Sequence, residues 1–116
     1  MSRYVPVEVR RRVREHFAEC CAYCHAAERN TVVTFEIEHI IPLAADGLSE
    51  FENLCLACPT CNRHKSDRTS ATDPTSGESV PLYHPQQDNW LAHFAWSVDG
   101  SEMIGLTSTG RATIAA

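Results

Sequence analysis

Six cysteines stand in a chain of 116 residues, and four of them form two Cys-x-x-Cys pairs, Cys21/Cys24 and Cys58/Cys61. Each pair can turn two thiolates toward one tetrahedral zinc. Four sulfurs leave no coordination position open, so the chemistry this spacing predicts is that of a structural Zn²⁺ site. Between and just beyond the pairs stand Glu38, His39, Asn53, Asn62 and His64. These ligand-type and acid–base-type side chains are denser than a zinc staple alone requires. Cys20 and Cys55 fall outside the paired spacing and read as small buried hydrophobes. Cys20 could replace Cys21 as a ligand, but its spacing to Cys24 holds one residue too many for a tight knuckle.

The elements that must carry these residues can be read in chain order. Pro6 can open a helix, because its missing N–H falls among those unsatisfied in the first turn. Val9, Val13 and Phe17 then make one apolar stripe through about residue 19, with Arg10, Arg11 and Arg14 mostly off it. Thr31 to Ile37 alternates β-branched and aromatic residues with polar ones and predicts a strand that delivers Glu38 and His39 near its end, before Pro42 stops it. Asp46-Gly47 signals a turn, and Ser49 can cap a short helical turn through Glu52. Asn53-Leu54-Cys55-Leu56 reads as a returning strand, and Pro59 starts a helix carrying Asn62, His64 and Lys65. Residues 66–79 are rich in Ser, Thr, Asp, Pro and Gly and read as a loop. Beyond it, Val80 to Pro85 is extended, Asp88 can cap a short helix over Asn89–His93, and Phe94–Ser97 with Met103–Leu106 predicts a hairpin turning at Asp99-Gly100. The tail reads as the edge of that hairpin, and Trp90, Phe94 and Trp96 as core, since such side chains bury large areas.

A chain of this length suits one small domain with a modest core that a metal would help to stabilise. No apolar run approaches the roughly 20 residues needed to span a bilayer, and no apolar segment follows the arginine-rich start, so a cytoplasmic protein with no membrane partner is expected. The formal net charge of −5 speaks mildly against a nucleic-acid binder. The positive charges are nevertheless clustered, at Arg10, Arg11, Arg12 and Arg14 and at Arg63, Lys65 and Arg68. A local field near a bound cation matters more to a phosphate than the sum does.

Taken in order, Cys-Ala-Tyr-Cys, Glu-His-Ile-Ile-Pro, Asn-Leu and Cys-Pro-Thr-Cys-Asn-Arg-His-Lys, from Cys21 to Lys65, resemble the HNH endonuclease family. The resemblance implies an α+β fold with a ββα-metal (His-Me finger) nucleus, a four-cysteine structural zinc, an N-terminal helix, and a C-terminal helix plus β-hairpin extension. It predicts a single nuclease domain over 1–116, with the N-terminal helix in 1–20, the zinc and ββα-metal core in 21–68 and the extension in 69–116. The run from Asp73 to Thr113 resembles the C-terminal extension of small stand-alone bacterial HNH proteins.

The implied activity is metal-dependent hydrolysis of DNA, with double-stranded DNA as the partner and 5′-phosphate and 3′-hydroxyl products. His39 is then the general base, an imidazole able to take a proton near neutral pH. Glu38, standing where many members have Asp, and Asn62 supply oxygens suited to Mg²⁺ or Mn²⁺. Asn53 matches the middle Asn that orients the loop carrying the base. The third motif residue reads at Asn62, directly after the last Cys, with His64 the second choice. Arg63 and Lys65 are expected on flanking phosphates, and Arg10, Arg11 and Arg14 form either a solvated face or a DNA-backbone contact. The rival reading is a non-catalytic zinc module gripping nucleic acid or protein, which has no use for His39 together with Asn62. A Cys-x-x-Cys redox protein lacks its βαβ context here.

Overall fold

Pro6 does stand at the start of a helix: α1 (Val7–His16) begins directly after it. The computed structural model describes residues 4–116; residues 1–3 of the expected N-terminal segment lie outside the described residues. The chain forms two units, one ending at Asp67 and the other Arg68–Ala116.

In the first unit α1 buries Val13 completely and ends at His16, three residues short of expectation. Ala18 and Glu19 take left-handed conformations (φ 53° and 58°), and the chain turns there so that Cys20 bridges Ala27. The first strand, β1 (Glu36–His39), is also shorter than its β-branched run. It pairs antiparallel with β2 (Leu54–Ala57), Glu36 opposite Ala57 and His39 opposite Leu54. The partner is four residues long, so Val32 and Val33 find no ladder and lie exposed in a bend. Propensity without a partner does not make a strand. All of β2 is buried, with α1 packed on it, and α2 (Pro59–Lys65) packs on β1.

Between the two strands the chain makes one short 3₁₀ turn at Leu43–Ala45 and another at Phe51–Asn53. The residue at the start of the second turn is Glu50, which makes no side-chain cap. Gly47 passes so close to Ile41 that an added Cβ would sit 1.7 Å from the Ile41 carbonyl oxygen. Only glycine allows that approach.

In the second unit the expected loop contains a hairpin, β3 (Ser70–Thr72) with β4 (Ser79–Pro81). Its turn is built on Asp73, a fully buried carboxylate that accepts from Thr75 N, from Ser76 Oγ, and from Arg111 Nε and Nη2 at 2.9 Å each. The Arg111 guanidinium holds that carboxyl well below the usual carboxylate range. Helix α3 (Trp90–His93) is capped by Asn89 rather than by Asp88, whose carboxylate accepts from His84 N instead. The predicted hairpin is present as β5 (Phe94–Trp96) and β6 (Met103–Gly105), Phe94 opposite Gly105. The tail is a helix, α4 (Ser108–Ala115), whose first turn is capped by Thr107 accepting from Gly110 N. Leu82, Tyr83, Trp90, Phe94 and Ala112 are buried, but Trp96 is 45% exposed and only leans on Trp90, with ring centroids 5.9 Å apart. No helix among the described residues is long and apolar enough to cross a membrane.

Candidate active site and metal centre

Two knuckles bring the four paired cysteines together. After Cys24 the chain turns through a left-handed His25, whose N–H donates to Cys21 O, while Ala22 N donates to Leu56 O and ties this knuckle to β2. The second knuckle is the start of α2: Cys58 is its N-cap, Pro59 its first residue, and Cys58 Sγ accepts from Cys61 N. The sulfurs of Cys21, Cys24, Cys58 and Cys61 all lie within 4.8 Å of one another, with Cys24 and Cys58 3.9 Å apart. Four thiolates around zinc stand about 3.8 Å apart at Zn–S distances of about 2.3 Å, so the cluster has the size and chemistry of a closed tetrahedral site. Cys20 is not part of it; its thiol donates to Ala18 O.

Without an ion the thiols of Cys21, Cys24 and Cys61 compete. The thiols of Cys24 and Cys61 donate to Cys21 and hold it as thiolate, down to about 2, while that same neighbour pushes Cys24 up to about 12 and Cys61 further. Cys24 and Cys61 therefore keep their protons at neutral pH, and zinc must displace them on binding.

Beside this centre, β1 and α2 border an open cleft of about 560 Å³. Ile37, Pro42, Leu43 and Ala44 form an apolar wall, while Asn62, Arg63, Ser66 and Asp67 form a polar one; Glu38 and His39 line it between them. The structure thus brings His39, Glu38, Asn62 and Arg63 to one cavity. His39 Nε2 lies 2.9 Å from Ser49 Oγ. Asn53 turns its amide to the main chain: Oδ1 accepts from Ile41 N at 2.8 Å, and Nδ2 donates to Ile41 O and Leu48 O at 2.9 Å each.

Glu38 belongs to the same strand face as Glu36, because side chains alternate along a strand. The alternation predicted for this stretch put both with the polar residues, yet Glu38 is only 6% exposed. Its Oε2 accepts from the Cys55 thiol, and Tyr23 also bonds the carboxylate; Oε1 is buried without a hydrogen bond, 3.4 Å from Lys65 Nζ. Burial pushes its pKa up, and the Lys65 ammonium opposes that rise. Glu36, which is exposed, accepts from Asn62 Nδ2.

Lys65, expected on a flanking phosphate, is turned inward. It is 7% exposed, and its ammonium donates to Ile40 O at 2.9 Å. The arginines of α1 are also engaged: Arg10 with Val5 O, Arg11 with Glu8, and Arg14 with both Glu28 and Phe35 O. Arg12 lies over the Phe51 ring, 4.2 Å from its centroid. Arg14 is thus a strut between α1 and the chain entering β1, whereas Arg63 and His64 on α2 are exposed. Sequence reasoning missed Ser49 and Glu36 as partners of His39 and Asn62, and it missed the Pro42–Ala44 wall. Strand alternation placed Glu36 beside Glu38; the irregular chain between His39 and Ser49 hid the serine.

Comparison with known proteins adds one finding. Residues 21–68 match the family model described as HNH endonuclease. No curated protein and no solved structure gives a significant match.

Proposed function

We propose that this protein, whose residues 21–68 match the HNH endonuclease family model, is a metal-dependent DNA endonuclease hydrolysing phosphodiester bonds in double-stranded DNA. The observation that carries the reading is the cleft lined by His39, Glu38 and Asn62, one wall of which is the helix that starts within the sulfur cluster. The order β1, β2, α2 supports the ββα-metal nucleus implied by the family. The donor chemistry is that of a Mg²⁺- or Mn²⁺-type ion: the Glu38 carboxylate, whose Oε1 has no hydrogen bond and lies 3.4 Å from the Lys65 ammonium, and the amide oxygen of Asn62 on the same cleft. Such an ion, held by Glu38 and Asn62, supplies the positive charge that offsets the charge developing on the phosphate and the departing oxygen.

The remaining work falls to the chain. His39, whose Nε2 meets Ser49 Oγ, takes the proton of the attacking water on its imidazole. The contact with Ser49 restrains the orientation of the ring. Asn53 pins the segment that leaves His39, and so sets where the base stands. Arg63, exposed on the polar wall, can bind a phosphate next to the scissile one. His64 lies on the same helix and is the next base to test should His39 prove dispensable.

Supercoiled plasmid incubated with the zinc-loaded protein should be nicked or cut when Mg²⁺ or Mn²⁺ is added and remain intact without it. His39→Ala should lower that rate about 10²–10⁴-fold with zinc content and DNA affinity unchanged. DNA binding without cleavage under any divalent ion would reject the nuclease reading in favour of a non-catalytic zinc module.

A further inference from the structure

Polar contacts between β1 and α2 include two that form a ladder. Glu36 and Glu38 share one face of the strand; Asn62 and Lys65, three apart, share one face of the helix. The outer rung is Asn62 Nδ2 on Glu36, at the rim. The inner rung is Lys65 against Glu38, 3.4 Å apart, with the same ammonium donating to Ile40 O at 2.9 Å. Ile40 directly follows His39, so this hydrogen bond fixes the strand exit at the residue next to the base. An ammonium is strongly hydrated and is left at 7% exposure only when it is paired. To reach a phosphate in the cleft, Lys65 would have to abandon both partners and leave the Glu38 carboxylate buried without its counter-charge.

We infer that Lys65 is a positioning residue: it holds the Glu38 carboxylate and the Ile40 carbonyl so that β1 and α2 present His39, Glu38 and Asn62 to one cleft, and it does not contact DNA. The inference rests on the nuclease reading for its effect on cleavage, but its placement of Lys65 can be judged without cleavage.

The test uses Lys65→Met and the double variant Glu38→Gln/Lys65→Met, each checked for zinc content and circular dichroism. The single variant strands a buried carboxylate and can fail to fold; the double variant removes both charges. DNA affinity is measured against salt with no added divalent ion, and Mn²⁺ affinity by the electron paramagnetic resonance signal of free Mn²⁺. The salt slope should equal wild type in every variant that folds. If Lys65 gripped a phosphate of the duplex, its removal would lower the slope by about 0.9, and that result would overturn the inference. Folded Lys65→Met should bind Mn²⁺ about 10–100-fold more weakly, the usual cost of losing an outer-shell partner, with cleavage recovering at high Mn²⁺. Unchanged Mn²⁺ affinity in the folded single variant would overturn the positioning role. A single variant that unfolds beside a folded double variant supports the internal pair. Wild type that neither binds Mn²⁺ nor cleaves would reject the nuclease reading by itself, while the salt slope still decides whether Lys65 touches phosphate.

Discussion

Asn53 spends both ends of its amide on the main chain, one oxygen and one nitrogen serving three hydrogen bonds to Ile41 and Leu48. Asparagine alone offers that acceptor and those two donors on a side chain this short. Asn53→Leu keeps the volume and strips all three bonds, leaving a half-buried N–H and carbonyls unpaired, at about 1–3 kcal/mol for each group that water cannot reach. Equilibrium denaturation should show a loss of about 2 kcal/mol or more. Asn53→Asp should be no milder, since it turns a carboxylate toward two carbonyls. In nicking assays the loss should fall on kcat more than on KM, because Asn53 sits behind the proposed base His39 and not on the cleft wall. A Leu variant as stable and active as wild type would remove Asn53 from this role. The neighbouring His39 was legible from its Glu-His-x-x-Pro setting. Its hydrogen-bond partner Ser49 was not, because nothing in residue type distinguishes a serine that meets a ring from one that caps a turn.

Among the elements, the segment joining β1 to β2 is the tightest. At Gly47 an added methyl group would meet the Ile41 carbonyl oxygen at 1.7 Å and Asn53 Nδ2 at 3.0 Å. Backbone and a committed amide cannot both step aside, so Gly47→Ala should cost at least about 2 kcal/mol, read as a fall in the denaturation midpoint. It should also slow cleavage by displacing the pins on either side. Helix α1 leads to the opposite expectation. Arg10, Arg11 and Arg14 already have protein partners, so replacing Arg10 and Arg11 by Gln should leave the salt slope of DNA binding nearly unchanged. Arg63→Gln, on the exposed polar wall, should lower it by about 0.9, the effect of giving up a single phosphate. A drop on removing Arg10 and Arg11 would restore α1 as a DNA-backbone face.

Elements were legible wherever a local signal coincided with a tertiary partner. Pro6, the Phe94 to Leu106 hairpin and Pro59 gave α1, the β5–β6 pair and α2. Where the deciding contact was distant the reading failed. The Ser70–Pro81 hairpin depends on a buried Asp73 answered by Arg111, 38 residues later, and Val32 and Val33 lacked a strand to join.

At the scale of the molecule the sulfur cluster outweighs any single side chain, because a zinc ion bound there would contribute folding free energy directly. Purified protein should carry one tightly held zinc per chain, and Cys58→Ser should lower Tm and zinc content together. Loading the metal-free protein should release protons, seen as a buffer-dependent heat in calorimetry, since Cys24 and Cys61 hold theirs until the ion arrives. Metal analysis finding no zinc in folded protein would overturn this expectation. Cys58 is at once a candidate ligand and the cap on which α2 begins, and α2 carries Asn62, Arg63 and Lys65. An ion that takes no part in the reaction therefore governs how many molecules can react. Turnover calculated per mole of polypeptide should vary from one preparation to the next, whereas turnover per gram-atom of zinc should stay constant. Cells starved of the metal would accumulate translated but silent chains.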